Sequence, residues 1–320
     1  MKNYIKPNVY AVHHKNINVR QESRSGGIFT AISDYVLNEN GVIYGCVLNE
    51  NFDAIHTRAT TAKERDAMRG SKYIQSDLGN TFKNVKKDLV EEKKVLFSGT
   101  SCQVAGLRKY LSKEYENLFC VDIVCHGVPS PKVWDEYIEW QEKKKKSKVK
   151  KVDFRNKKKY GWRAHTETLE FINGKKIDSR VFTNLFYQHN ILRPCCFRCP
   201  YKSIMHPGDI TIADYWGIEK AAPEFDDNKG VSLVLVNNDN GQKMFESISE
   251  SIRYKRTNIE DSMQPPLEKP FPQPSERPMF WNEFQNNSFK YIAKKYGKES
   301  KLRDIKRFII NAKRKMVNKK

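Results

Sequence analysis

The sequence predicts an α/β fold of mixed α+β character: a sheet domain with helices on its faces, followed by basic C-terminal helices. Three observations predict it. Apolar runs of strand length alternate with stretches of helical periodicity through the first half of the chain. Two of those runs, ending at Ser98 and Val124, lead into loops rich in Gly, Ser and Thr that carry Cys102 and Cys125. Beyond a lysine-rich run at 142–159 the texture shifts to shorter strands and a hairpin turn, as in an α+β arrangement.

In chain order, Ser23, Ser25, Gly26 and Gly27 precede a helix over 26–38, with Ile28, Ile32, Tyr35 and Val36 at helical spacing. Gly41–Leu48 reads as a strand and 79–92 as a helix. Lys94–Ser98 is a short buried strand ending in Gly99-Thr100-Ser101-Cys102, with a helix over 103–113. Leu118–Val124 repeats the pattern and ends in Cys125-His126-Gly127, before a long helix from Pro131. Segments 149–155, 164–172 and 175–181 read as strands, the last two joined by the turn Asn173-Gly174. A helix over 182–190 leads to Arg193–Lys202, and 209–213 and 231–236 are further strands. A Pro-rich connection, 264–278, precedes helices at 283–296 and 300–318. The division this implies is a domain over 1–255 and a C-terminal part over 256–320.

Of 320 residues, 38% are hydrophobic and 30% charged, but 17 Phe, 15 Tyr and 5 Trp supply bulk for a core, which excludes wholesale disorder. No run approaches the roughly 20 apolar residues of a membrane span, and Met1-Lys2-Asn3-Tyr4 does not open a secretory signal. The expectation is a soluble, cytoplasmic protein. The net charge of +20 is local: 142–159 holds 11 basic and 2 acidic residues, and 290–320 holds 13 and 2. These segments suit a polyanion, an anionic membrane face or an acidic protein. A base-reading surface interleaves aromatics with its cations, and 142–159 has only Phe154 and Tyr160 nearby, so no nucleic acid is expected.

Seven cysteines in a cytoplasmic chain argue for chemistry rather than a disulfide framework. Cys196-x-x-Cys199 is a two-ligand clamp next to Cys195. Cys102 and Cys125 each lie just past the C-terminal end of a predicted parallel strand, the edge where open α/β sheets place their sites. Four thiolates mean zinc or an iron–sulfur cluster; two buried thiols beside a structural zinc knuckle remain an alternative. Cys46 and Cys120 lie inside apolar strands and read as small hydrophobes. The helix start after Ser23-Arg24-Ser25-Gly26-Gly27 suits a phosphate or pyrophosphate, or is simply a capped helix. Arg69-Gly70-Ser71-Lys72-Tyr73 has the same ambiguity, and His126 is a candidate proton donor.

Six motifs in register carry a resemblance: Ser23–Gly27, Arg69–Ser76, Phe97–Arg108, Asp122–Pro131, Arg193–Lys202 and Asp209–Gly217. Over about residues 20–250 the chain resembles the beta-subunit family of coenzyme F420 hydrogenases and dehydrogenases. The resemblance implies an oxidoreductase that binds FAD and a 4Fe-4S cluster and passes electrons through the flavin to a small organic acceptor. The cluster ligands would be Cys102, Cys125, Cys196 and Cys199. The flavin site would draw on Ser23, Ser25, Gly26, Gly27, Arg69, Ser71, Lys72, Tyr73, Gln75, Ser76, Ser98, Gly99 and Thr100, with Asp209, Asp214 and Trp216 lining it. Many members begin with a ferredoxin-like module; no cysteine precedes Cys46 here, so a separate acidic, ferredoxin-like donor is expected, docking on the basic segments. Members without that module resemble proteins associated with bacterial surface-polysaccharide synthesis. A zinc-stabilised nucleic-acid-binding protein and a non-catalytic assembly protein of the same fold are the alternatives. An anionic membrane surface is a further partner open to the basic C-terminal helices.

Overall fold

The computed structural model describes residues 3–299. The described residues contain eleven strands: β1 (Asn8–His14), β2 (Val42–Leu48), β3 (Ala54–Ala59), β4 (Val95–Thr100), β5 (Leu118–Ile123), β6 (Val149–Asp153), β7 (Glu167–Phe171), β8 (Lys176–Ser179), β9 (Ile210–Asp214), β10 (Ser232–Val236) and β11 (Ile252–Thr257). It divides into two compact units, and the division is interleaved rather than falling near residue 255. The first comprises Met1–Pro131, Arg155–Ala164 and Arg193–Pro272; the second comprises Lys132–Phe154, His165–Leu192 and the chain from Gln273 on.

The first unit holds an eight-stranded sheet in the order β11-β1-β10-β9-β5-β4-β2-β3. Its middle, β2-β4-β5-β9, is parallel, and antiparallel strands flank it on both sides. Alternation along the strands decides the two faces. Ile43, Leu96 and Val121 join Ile28, Ile32 and Val36 of the helix Ile28–Asn38 on one face. Val42, Tyr44, Val95, Phe97 and Cys120 meet Val85 and Leu89 of the helix Thr81–Val90 and Val104 and Leu107 of the helix Ser101–Leu111 on the other. Cys120 is fully buried there and burial pushes its thiol up, in keeping with a small apolar role. Cys46 differs: it is only partly buried and stands opposite His56 in the β2–β3 register.

The consecutive elements β4, helix Ser101–Leu111 and β5 form a parallel crossover, so Cys102 and the Cys125 loop leave neighbouring strands at the same edge. Thr100 and Gln103 form a capping box at the start of that helix. Thr100 N–H donates to Gln103 Oε1 at 2.9 Å, which fixes Cys102 in the first turn.

The second unit has the three-stranded sheet β6-β7-β8. Gly174, with φ +79°, supplies the left-handed turn of its hairpin. Trp134 and Tyr137 of the helix Pro131–Lys145 pack against Phe182, and Trp134 also meets Phe154. The C-terminal helices begin and end elsewhere than the periodicity implied, at Arg277–Asn286 and Phe289–Lys295, with a break at Asn287-Ser288. The helix expected over 300–318 lies outside the described residues. Among the described residues no helix is long and apolar enough to cross a membrane.

Candidate functional site

The four expected ligand cysteines come from three loops of the first unit. Cys102 is exposed, with Thr100 Oγ1 3.1 Å from its sulfur. Cys196 lies in the short 3-10 turn Pro194–Arg198, with Cys199 just after it. Arg193 N–H donates to the Val128 carbonyl at 2.9 Å, tying that turn to the Cys125 loop, and Val128 N–H donates back to Cys196 Sγ at 3.4 Å. Backbone groups of Gly127 and Tyr201 do the same for Cys125 and Cys199.

The thiols feel one another. Burial pushes Cys125 up to about 12, and the charges that Cys196 and Cys102 would carry add to the rise. Burial likewise raises Cys199, with Cys102 and Cys195 contributing. Lys202 is buried beside them, hydrogen-bonded through Nζ to the His126 carbonyl at 2.7 Å; burial lowers its pKa although Cys125, Cys199 and Cys196 act to raise it. Among the described residues no three His, Cys, Asp or Glu side chains stand together as a metal-binding group. The loops converge with their sulfurs short of ligating geometry. The donor set nonetheless fits a thiolate-bound metal or cluster: four thiols, backbone N–H donors aimed at three of the sulfurs, and a nearby ammonium.

His126 reaches this region through its backbone. Its ring lies 4.4 Å from the Phe271 ring, and the Lys202 ammonium sits 4.1 Å above the same ring. A second histidine, unforeseen from the sequence, underpins the sheet edge that carries Cys102. His206 is buried, with Nδ1 3.1 Å from Ser101 Oγ and 3.2 Å from Asp122 Oδ2. Thr211 donates to the other Asp122 oxygen at 2.6 Å. This network holds the residue before Cys102 against the ends of β5 and β9.

The residues expected at a flavin separate into three groups. Tyr73, Asp214 and Trp216 come together, and they do so around partners the motifs did not assign. Arg155 donates to Asp214 Oδ2 at 2.5 Å and reaches Tyr73 Oη at 3.3 Å. Trp162 Nε1 donates to the other Asp214 oxygen at 3.0 Å, and the Trp162 ring stacks on Trp216 at 5.1 Å and 9°. Burial opposes ionisation of Asp214, but Arg155 and Arg24 outweigh it and hold the carboxyl below its usual range. Arg24, central in the Ser23–Gly27 motif, clamps the Arg155 and Trp162 carbonyls.

Ser76 and Ser98 form the second group, bridged by His56. Nε2 lies 3.0 Å from the Ser98 carbonyl, which can only accept, so Nε2 carries the ring proton. Nδ1 is then the acceptor for the Ser76 hydroxyl at 2.5 Å. Burial pushes His56 down to about 4, which keeps it neutral near pH 7. Lys72 is held by the Ala67 and Arg69 carbonyls at 2.9 and 3.1 Å, and burial lowers it to about 8. Arg69 pairs with Asp66 at 2.9 Å and donates to Thr30. Ser71 is exposed and Gln75 half-buried on the same loop.

The third group is structural. Asp209 accepts from Arg108 at 2.8 Å, Asn238 at 3.0 Å and the Cys120 N–H at 2.7 Å, so its oxygens serve the strand ends. Ser25 donates to the Val231 carbonyl and Ser23 to the Val19 carbonyl, while Gly26 N–H bonds Ser232 Oγ. Lys157 supports this loop from the Arg20 and Ser25 carbonyls at 2.6 and 3.1 Å; burial, with Arg24 and Arg20, lowers it to about 7. Gly27, at φ +95°, turns the chain into the helix Ile28–Asn38. Gly99 precedes the capping residue Thr100 at the end of β4.

Two family models match the chain. One describes the N-terminal region of the beta subunit in coenzyme F420 hydrogenase/dehydrogenase and covers residues 9–83. The other describes the C-terminal region of the same beta subunit and covers residues 92–262. No curated protein sequence matches. Among solved structures, the chain is similar to one from the xenon-derivatised F420-reducing NiFe hydrogenase complex of Methanosarcina barkeri. The TM-score is 0.54 at 18% identity, covering 80% of this chain and 85% of that one, a likeness of fold.

Proposed function

The chain belongs to the coenzyme F420 hydrogenase/dehydrogenase beta-subunit family, and on that premise we propose that it is an iron–sulfur flavoprotein oxidoreductase that passes electrons between an acidic, ferredoxin-like protein and a small organic two-electron acceptor. The observation that carries the reading is the tie between Arg193 and Val128, which sets the Cys196/Cys199 turn against the Cys125 loop, one strand from Cys102. Cys102, Cys125, Cys196 and Cys199 would hold the 4Fe-4S cluster, and the backbone donors at Cys125, Cys196 and Cys199 would tune it. Tyr73, Ser76 and Trp216 would bind FAD, with Arg24, Arg155 and Asp214 setting the positions of their neighbours. When bound, the cluster supplies single-electron exchange and the flavin supplies conversion between one- and two-electron steps. The buried Trp162 ring, stacked on the half-buried Trp216, walls one side of that site.

Anaerobic purification with cofactor extraction tests this. The expected protein is brown, with about four iron, about four acid-labile sulfide and about one FAD per chain. A colourless protein with stoichiometric zinc and no sulfide overturns the reading in favour of a zinc site.

The basic run at 142–159 supports the choice of an acidic donor. Lys146, Lys150 and Lys151 within it are exposed. Docking guided by such charges weakens as the Debye length falls from about 10 Å at 0.1 M salt to about 3 Å at 1 M. Stopped-flow reduction by an acidic ferredoxin is therefore expected to slow at least tenfold over that range. Reduction by a small neutral dye should stay within about twofold. Equal salt sensitivity of the two reactions would remove charge-guided docking.

A further inference from the structure

The two basic segments are about 150 residues apart in sequence, yet they meet at one place. A cavity of about 130 Å³ in the second unit is lined by Lys144 and Lys145 from one and Lys298 from the other. Arg180, just before the helix Val181–Tyr187, adds a fourth cation. Two carboxylates share the lining, and both are engaged. Glu299 pairs with Lys144, and Asp178 accepts from Thr168 Oγ1 at 2.7 Å. Among the described residues Lys145, Arg180 and Lys298 have no acidic partner, so three uncompensated cations face one small depression. Like charges gathered this way repel unless an anion joins them.

The arrangement is built rather than incidental. Asn184 Nδ2 donates to the Gly297 carbonyl at 2.8 Å, and Gln188 Nε2 donates to the Tyr296 carbonyl at 2.6 Å, clamping the turn after the helix Phe289–Lys295. Gly297 lies so close to Val181 that a Cβ there would come within 2.6 Å of Val181 Cγ1. The clamped turn then places Lys298 in the left-handed region, at φ 54°, a conformation costly for a lysine. The Lys144–Glu299 pair holds the far side. The turn lies beyond residue 262, where the family match ends, so the completed cavity involves a segment outside the matched family core.

We infer that this cavity binds the phosphate group of a small molecule. Its volume is a few times the ~30 Å³ share of one water, room for a tetrahedral oxyanion. Four cations against two carboxylates match the charge of about −1.5 to −2 on a phosphomonoester at pH 7. Arg180 adds a planar donor fork suited to phosphate oxygens. The inference is independent of the cofactor reading, because every lining residue belongs to the second unit.

Equilibrium dialysis of the full chain against labelled inorganic phosphate tests it, with ionic strength held constant by chloride. Half-saturation is expected on the order of 1 mM. Arg180→Gln and Lys298→Gln should each weaken binding at least fivefold. Both residues are exposed, so the variants should fold. Lys83→Gln removes an exposed charge in the first unit and should leave binding unchanged. A glycerol phosphate arm identifies the source: tighter binding than orthophosphate means a phosphorylated organic ligand, and equal binding means free phosphate. The inference is overturned if acetate competes as well as phosphate, if Lys83→Gln weakens binding as much as Arg180→Gln, or if dialysis shows no phosphate uptake. It is also overturned if phosphate is displaced only by an acidic protein and the two pocket variants leave its affinity unchanged.

Discussion

Replacing Cys125 with alanine should remove the iron–sulfur absorbance entirely, with iron and sulfide falling to background in protein purified without oxygen. Burial pushes the Cys125 thiol up to about 12. A thiol so far from ionising at neutral pH becomes a thiolate only in company with a metal, which makes its fate the most sensitive report on one. Its loss would leave three of the four proposed ligands. The control is Cys120→Ala: Cys120 is wholly buried in the sheet and faces the helix side, so iron should stay at the wild-type level while stability falls modestly. Cys195→Ala, at an exposed neighbour of the clamp, should also keep full iron. If Cys125→Ala retains all its iron and Cys195→Ala loses it, the ligand set includes Cys195 in place of Cys125.

Much of this edge was legible in the sequence because periodicity and punctuation agree there. Runs such as Val95–Phe97 and Leu118–Val121 are too apolar to be anything but buried strands, and the Gly-Thr-Ser and His-Gly loops after them mark their ends. A parallel crossover then puts Cys102 and Cys125 side by side with no further information. The outer strands were harder to read. β1 and β3 carry His and Arg among their apolar residues, and β11 reads Ile-Arg-Tyr-Lys-Arg-Thr with most of its side chains exposed, so alternation there is weak. The interleaving of the two units was invisible, because Arg155–Ala164 returns to the first unit from within a lysine-rich stretch that looked like a single basic segment.

The same limit applies to the site. His56, Arg155 and Trp162 matter through contacts 20 to 82 residues away in sequence, to Ser76, Tyr73 and Asp214. No local pattern marks such residues. Arg24 was within reach, since it sits between two serines inside the Ser23–Gly27 motif, but its role is to clamp carbonyls from Arg155 and Trp162. Asp209 shows the limit from the other side. An acidic residue at a strand start, opening the Asp209–Gly217 motif, looks like a ligand contact, whereas its carboxylate is consumed by Arg108, Asn238 and a backbone N–H.

Gly26→Ala should cost the protein its fold. The sequence presents Gly26 as a place where backbone approaches a pyrophosphate. The structure gives the space another occupant: a Cβ at Gly26 would lie 2.2 Å from the Val12 carbonyl oxygen and 2.7 Å from the Ser232 backbone nitrogen. Both are backbone atoms of strands β1 and β10, paired with each other in the sheet, so neither can yield without separating from its neighbour. His14 N–H also bonds the Gly26 carbonyl at 2.8 Å, fixing the loop from the other side. Relief therefore requires moving a central strand, and the expected loss is about 3 kcal/mol or more. Gly27→Ala meets softer neighbours, the His14 Cβ at 3.1 Å and the Ser23 hydroxyl at 3.4 Å, and pays mainly for its left-handed φ of +95°. That costs about 1–2 kcal/mol and should leave a folded protein. Thermal melts followed by circular dichroism, with bound FAD measured on the soluble fraction, separate the two. Gly26→Ala should melt far below wild type, and Gly27→Ala only slightly below it. A Gly26→Ala protein that melts like wild type yet lacks flavin would restore the pyrophosphate contact and refute the packing account.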